Sequence, residues 1–105
     1  MTNRIEIGED LKITKVENRQ SAGGVWVKGS LNGFAFNALV FAEHAENPEY
    51  ELSSSKISKL WMQRLADHKV VVNFDRGWDI RPTSGLEMEI VNFLIAGLSD
   101  FVFAE

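Results

Sequence analysis

The chain has 105 residues, 45% hydrophobic and 25% charged, the size and balance of one globular domain over residues 1–105 that can bury a core without staples. It has no cysteine, which excludes disulfides, iron–sulfur clusters, thiolate zinc sites and a cysteine nucleophile and suits a reducing cytoplasm. Residues 82–105 hold Glu87, Glu89, Asp100 and Glu105 but no Lys or Arg, so the whole net charge of −4 sits there and the rest of the chain balances to zero; no basic stripe points to nucleic acid as a partner.

The opening MTNRIEIGED lacks the basic and apolar segments of a signal peptide. The most apolar stretch, residues 90–98, is far too short to span a bilayer. A cytoplasmic protein without membrane association is expected.

In chain order, residues 11–17 (LKITKVE) are β-branched and charged, as in an edge strand. Residues 18–24 are turn-rich. In GVWVKGSLNGFAFNALVF, Asn32-Gly33 separates two strand-like runs. This dipeptide accepts the positive φ angles of a type I′ turn and so predicts a two-residue hairpin. The turn sets the register: Leu31 opposite Phe34, Gly29 opposite Phe36, Val27 opposite Ala38, Val25 opposite Val40. These form one apolar face, and Gly29 leaves room for the Phe36 ring. Trp26, Lys28, Ser30, Ala35, Asn37, Leu39 and Phe41 form a mixed face, half-buried at most.

Residues 42–55 (AEHAENPEYELSSS) are polar and read as a long loop, a kind often functional in small domains. Residues 56–65 (KISKLWMQRL) fit either a helical stripe or a strand. The strand is preferred, because VVVNF directly after it needs an antiparallel neighbour. Residues 70–80 read as one strand ended by Pro82. Ser84 and Glu87 form a capping box that opens a helix. Leu86, Ile90, Phe93, Leu94, Gly97, Leu98 and Phe101 recur at helical spacing, with Gly97 permitting a close approach to the sheet.

The densest concentration of functional side chains is NFDRGWD, residues 73–79. As glycosidase-type carboxylates, Asp75 and Asp79 would need to stand roughly 5–9.5 Å apart. A regular strand separates them by about 13 Å. Strand alternation also drives Arg76 into the core between Phe74 and Trp78, where a guanidinium is costly to desolvate. A bulge near Gly77 relieves this. The structural reading is therefore a bent strand end with Arg76 exposed beside Asp75 or Asp79 and Trp78 mostly buried. The functional reading is a pocket in which Asp75, Arg76, Trp78 and Asp79 receive an anionic ligand, Arg76 by a bidentate fork.

His44 and His68 lie in separate loops without metal-ligand spacing, and no G-x-S-x-G elbow or phosphate loop is present. No catalytic residue, metal or cofactor is assigned. Trp26, Leu39, Phe41 and Trp61 on an uncovered sheet face would mark an interaction surface.

The segments WVKGSLNGFAFNALVF, ISKLW and VVNFDRGWDI together resemble a small family of bacterial domains of unknown function. The resemblance spans about residues 25–81. It implies a small bacterial cytoplasmic or mobile-element protein and favours ISKLW as a strand. It carries no site residues to this chain.

The expected architecture is α+β: an antiparallel meander of about five strands with one C-terminal amphipathic helix on its apolar face. Val25, Val27, Phe34, Phe36, Val72, Phe74, Ile90, Leu94 and Leu98 should form the core. The expected function is a protein-interaction or binding module that uses the sheet face around Trp26, Leu39, Phe41 and Trp61 on an unknown protein partner or on a second copy of the chain. The alternatives are an anionic-ligand binder or unrecognised enzyme at the 75–79 bend, and an acidic protein acting on a basic partner through Glu87, Glu89 and Asp100.

Overall fold

The computed structural model describes residues 7–19, 23–53 and 55–103. Six strands form one antiparallel sheet in chain order: β1 (Lys12–Asn18), β2 (Val25–Leu31), β3 (Phe34–Val40), β4 (Ile57–Arg64), β5 (Lys69–Asp75) and β6 (Trp78–Ile80). One helix, α1 (Gly85–Phe103), follows. The α+β meander is as expected, with six strands rather than about five. The expected features at residues 1–6, 20–22, 54 and 104–105 lie outside the described residues.

The extra strand comes from residues 70–80. They do not form one bent strand: the chain reverses after Asp75 and pairs Phe74 with Trp78 and Asn73 with Ile80. Residues 56–65 are a strand, as VVVNF requires, with Leu60 opposite Phe74 and Met62 opposite Val72.

At Asn32-Gly33 both φ angles are positive, 51° and 85°, and every strand pair expected from that turn is present. A Cβ at Gly29 would collide with the Lys12 carbonyl oxygen and press on the Phe36 ring. All nine expected core residues are buried, joined by Leu31, Ala38, Val40, Leu52, Ile57, Leu60, Met62, Val71 and Val91.

α1 lies on this apolar face through Ile90, Val91, Leu94 and Leu98. Its start is capped: the Glu87 N–H donates to Ser84 Oγ at 3.1 Å, and Glu87 Oε1 accepts from the Thr83 N–H at 3.0 Å. Glu87 is thus buried and structural, not part of a solvated acidic face. The apolar stripe is rotated from the expected one. Val91 is buried, whereas Phe93 and Phe101 are exposed. Gly97 is exposed too and approaches nothing. Phe93 instead lies across the backbone of Gly8. Among the described residues no helix is long and apolar enough to cross a membrane.

Among the described residues no element covers the second face of the sheet. Cross-strand pairing places Lys12, Lys15 and Glu17 of β1 beside Ser30, Lys28 and Trp26 of β2. Asn37 and Leu39 follow on β3, then Trp61 and Lys59 on β4. This face is mixed as expected, with one exception. Leu39 is only 2% exposed, although it lies outside the core cluster.

Candidate functional site

Leu39, packed beneath Gly24, also lines a cleft. The cleft encloses about 630 Å³ at one end of the open face. Leu39, Phe41 and Gly24 supply apolar surface, and Tyr50 supplies a second ring. Arg19, Lys56, Lys59 and Arg76 line it with Glu43, His44 and Glu51.

The 42–56 segment forms one wall. It is not an unstructured loop. A single 3-10 turn at Pro48–Tyr50 is capped by Asn47, whose side chain accepts from the Glu49 N–H. Beyond that turn Glu51 and Leu52 are buried. Glu51 ties the segment together: its carboxylate accepts from the Ala45 N–H at 2.7 Å and the Lys56 N–H at 3.3 Å, and lies 2.7 Å from His44 Nδ1. Burial pushes the Glu51 carboxyl up. The Ala45 N–H, the His44 imidazole and the Lys56 N–H together outweigh it and hold the group below its ordinary value.

The opposite wall is built by the β5–β6 turn. Ser58 is an extra residue between the Leu39–Lys59 and Val40–Ile57 pairs of β3 and β4. Its carbonyl accepts the Arg76 N–H at 3.0 Å, and the Asp75 N–H donates to Gly77 O at 2.9 Å. These bonds hold Arg76 at φ 52°, left-handed backbone that a non-glycine residue adopts at a cost. Lys56, across the cleft, is also left-handed, at φ 67°. The Arg76 guanidinium then lies 5.9 Å from the centroid of the Tyr50 ring, within cation–π range.

The sequence-predicted site residues separate here. Arg76 is exposed as expected, but its neighbour is Tyr50 and not a carboxylate. Asp75 pairs instead with Lys59 at 3.6 Å. Trp78 is half-buried rather than mostly buried. It goes to the helix side, edge-on to Phe74 with centroids 5.2 Å apart, and Arg81 sits over it at 5.4 Å. Asp79 is exposed, away from the cleft lining. Of the expected interaction surface, Leu39 and Phe41 enter the cleft, while Trp26 and Trp61 stand half-buried farther along the open face.

The electrostatics of the cleft follow from this accounting. Lys59 is matched by Asp75, the Glu51 carboxylate is held by the wall itself, and Glu43 adds an exposed carboxylate with no cation within 4.0 Å among the described residues. The charged side-chain nitrogens of Arg19, Lys56 and Arg76 have no carboxylate oxygen within 4.0 Å among the described residues. All three line the same cleft as Leu39 and Phe41. Arg19, Lys56, Glu51 and Tyr50 were missed as site residues by sequence reasoning. Among the described residues no three His, Asp or Glu side chains converge to hold a metal ion.

Residues 25–99 match the family described as a domain of unknown function, DUF7678. The chain belongs to that family. Leu39, Phe41, Tyr50, Lys56 and Arg76 lie within the matched span and Arg19 lies before it. No curated protein and no solved structure matches the chain.

Proposed function

We propose that the protein is a binding module whose cleft takes a small anionic ligand with a flat apolar body. One observation carries this reading. Arg19, Lys56 and Arg76, none paired to a carboxylate among the described residues, line the same cleft as Leu39, Phe41 and Tyr50. Cations meet the anionic group, Arg76 in a bidentate fork, while the rings and Leu39 take the apolar body. Two of these cations sit on left-handed backbone, the kind of local strain that gathers at ligand sites. A cytoplasmic location belongs to the same proposal; a chain without cysteine needs no oxidising compartment to fold.

The test is an amide-resolved NMR titration with 1-naphthyl phosphate, using 1-naphthol and inorganic phosphate as half-ligands. The aryl phosphate should shift the amides of Gly24, Phe41 and Lys56 and bind about tenfold or more tighter than either half, as expected for one charge-assisted contact added to apolar burial. Equal binding of 1-naphthol would remove the cations from the account. Shifts confined to residues outside the cleft would remove the cleft.

A further inference from the structure

The open face beyond the cleft carries a second concavity, of about 210 Å³, lined by Lys15, Glu17, Trp26, Lys28 and Asn37. Asn37 pairs with Lys28 on one side and Trp61 on the other, so Trp26 and Trp61 flank its strand. Its Oδ1 atom is buried without a hydrogen-bond partner among the described residues. Lys12 and Lys28 stand exposed on the same face with no carboxylate within 4.0 Å among the described residues. Lys15 is matched only by Glu17, at 3.2 Å on open surface, where a pair is worth little. The chain's acidic excess is elsewhere, in residues 82–105.

We infer that the uncovered face of the sheet binds single-stranded nucleic acid, with Trp26 and Trp61 as stacking platforms. The cleft takes one nucleotide of the same strand, and that last clause rests on the cleft reading above. Half-buried indoles can stack on unpaired bases, each stack being sequence-tolerant. The lysines around Asn37 meet phosphates. A protein partner fits this surface less well, since the centres of protein interfaces are depleted in lysine. A second copy seated face to face would bring Lys12, Lys15 and Lys28 against their own equivalents. A duplex hides its bases from the indoles.

The experiment measures fluorescence anisotropy of labelled oligothymidylate of about eight residues on the full chain. In parallel, thymidine monophosphate is titrated by NMR. The oligomer should bind about tenfold or more tighter than the mononucleotide, with a log–log salt slope of about −2, as for some three phosphates neutralised on a single strand. The double variant Lys12→Gln/Lys28→Gln changes exposed side chains only; it should weaken the oligomer about tenfold and flatten the slope, leaving the mononucleotide unaffected. A duplex of equal length should bind more weakly. If the oligomer binds no tighter than the mononucleotide, or if heparin or a duplex binds as well, the inference is overturned while the cleft reading stands. If Arg76→Gln changes neither ligand but the lysine variant still weakens the oligomer, the open face stands and the cleft reading falls. A rise in sedimentation mass without nucleic acid, abolished by the lysine variant, would assign the face to self-association and overturn the inference.

Discussion

Trp26 and Val27 are neighbours in β2, and their side chains leave the strand in opposite directions. Val27 is fully buried among aliphatic and aromatic neighbours beneath α1. Trp26 stays half-buried on the uncovered face, beside Glu17 and Lys28. The same contrast runs across the sheet, Leu60 against Lys59 and Met62 against Trp61. One face is closed by matching apolar shapes, so that side chains there act on stability. On the other face, under the proposed function, unmatched cations and rings act on a ligand. Substitutions on the two faces should therefore separate stability from binding.

The largest stability loss belongs to the covered face. Leu94→Ala should destabilise by about 2–5 kcal/mol in chemical denaturation, because the residue is almost fully buried under the sheet. A loss under about 0.5 kcal/mol would place the helix on another surface. Gly33→Val comes next, at more than about 1 kcal/mol. Gly33 has φ 85° and nothing near a would-be Cβ, so backbone conformation alone is tested.

Glu51→Gln joins the two faces. Its carboxylate organises the cleft wall, and an amide cannot accept from Ala45, Lys56 and His44 together. A loss of about 1–3 kcal/mol of local stability is expected, read as faster hydrogen exchange at the Ala45 and Lys56 amides. The native protein should show the same loosening in acid. The group is held below its ordinary value, so its contribution is complete above the unfolded-state pKa and is lost as pH falls through the lower folded-state value. Asp67 behaves alike at the β4–β5 turn. There Arg64 pairs with it through two hydrogen bonds, of 3.0 and 2.7 Å, and holds it at about 2. Its tie to Arg64 should therefore survive into stronger acid than an ordinary aspartate's, which a carboxyl NMR titration would show.

The covered face was largely legible in the sequence because its determinants are local. Asn32-Gly33 sets a register, and period-two alternation then names the core. The Arg76 side chain stays out of the core, as strand phase and the cost of desolvating a guanidinium require. A bulge is expected where the chain in fact reverses, since nothing nearby in sequence distinguishes a bent strand from a short hairpin pairing Phe74 with Trp78. The helix stripe was misphased by the number of apolar positions around α1. The turn at Gly8 receives Phe93, and Val91 takes the buried place. The cleft was the least legible part. Arg19, Leu39, Tyr50, Lys56 and Arg76 come from separated segments. The β1–β2–β3 pairing and the Arg19–Gly24 bond, the β3–β4 pairing, the extra residue at Ser58 and the Glu51 bonds bring them together.

Arg76→Gly carries the smallest stability effect and tests the central claim most directly. At φ 52° glycine relieves left-handed strain while keeping the N–H that donates to Ser58. The unfolded chain gains entropy in return, so stability should change by at most about 1 kcal/mol. Measured side by side on the wild type and this variant, the denaturation midpoint should hardly move, while the affinity for 1-naphthyl phosphate falls about tenfold or more. A variant that unfolds readily, or one that binds the aryl phosphate as tightly as the wild type, would contradict the account: Arg76 would then be holding the fold together or standing idle beside the cleft.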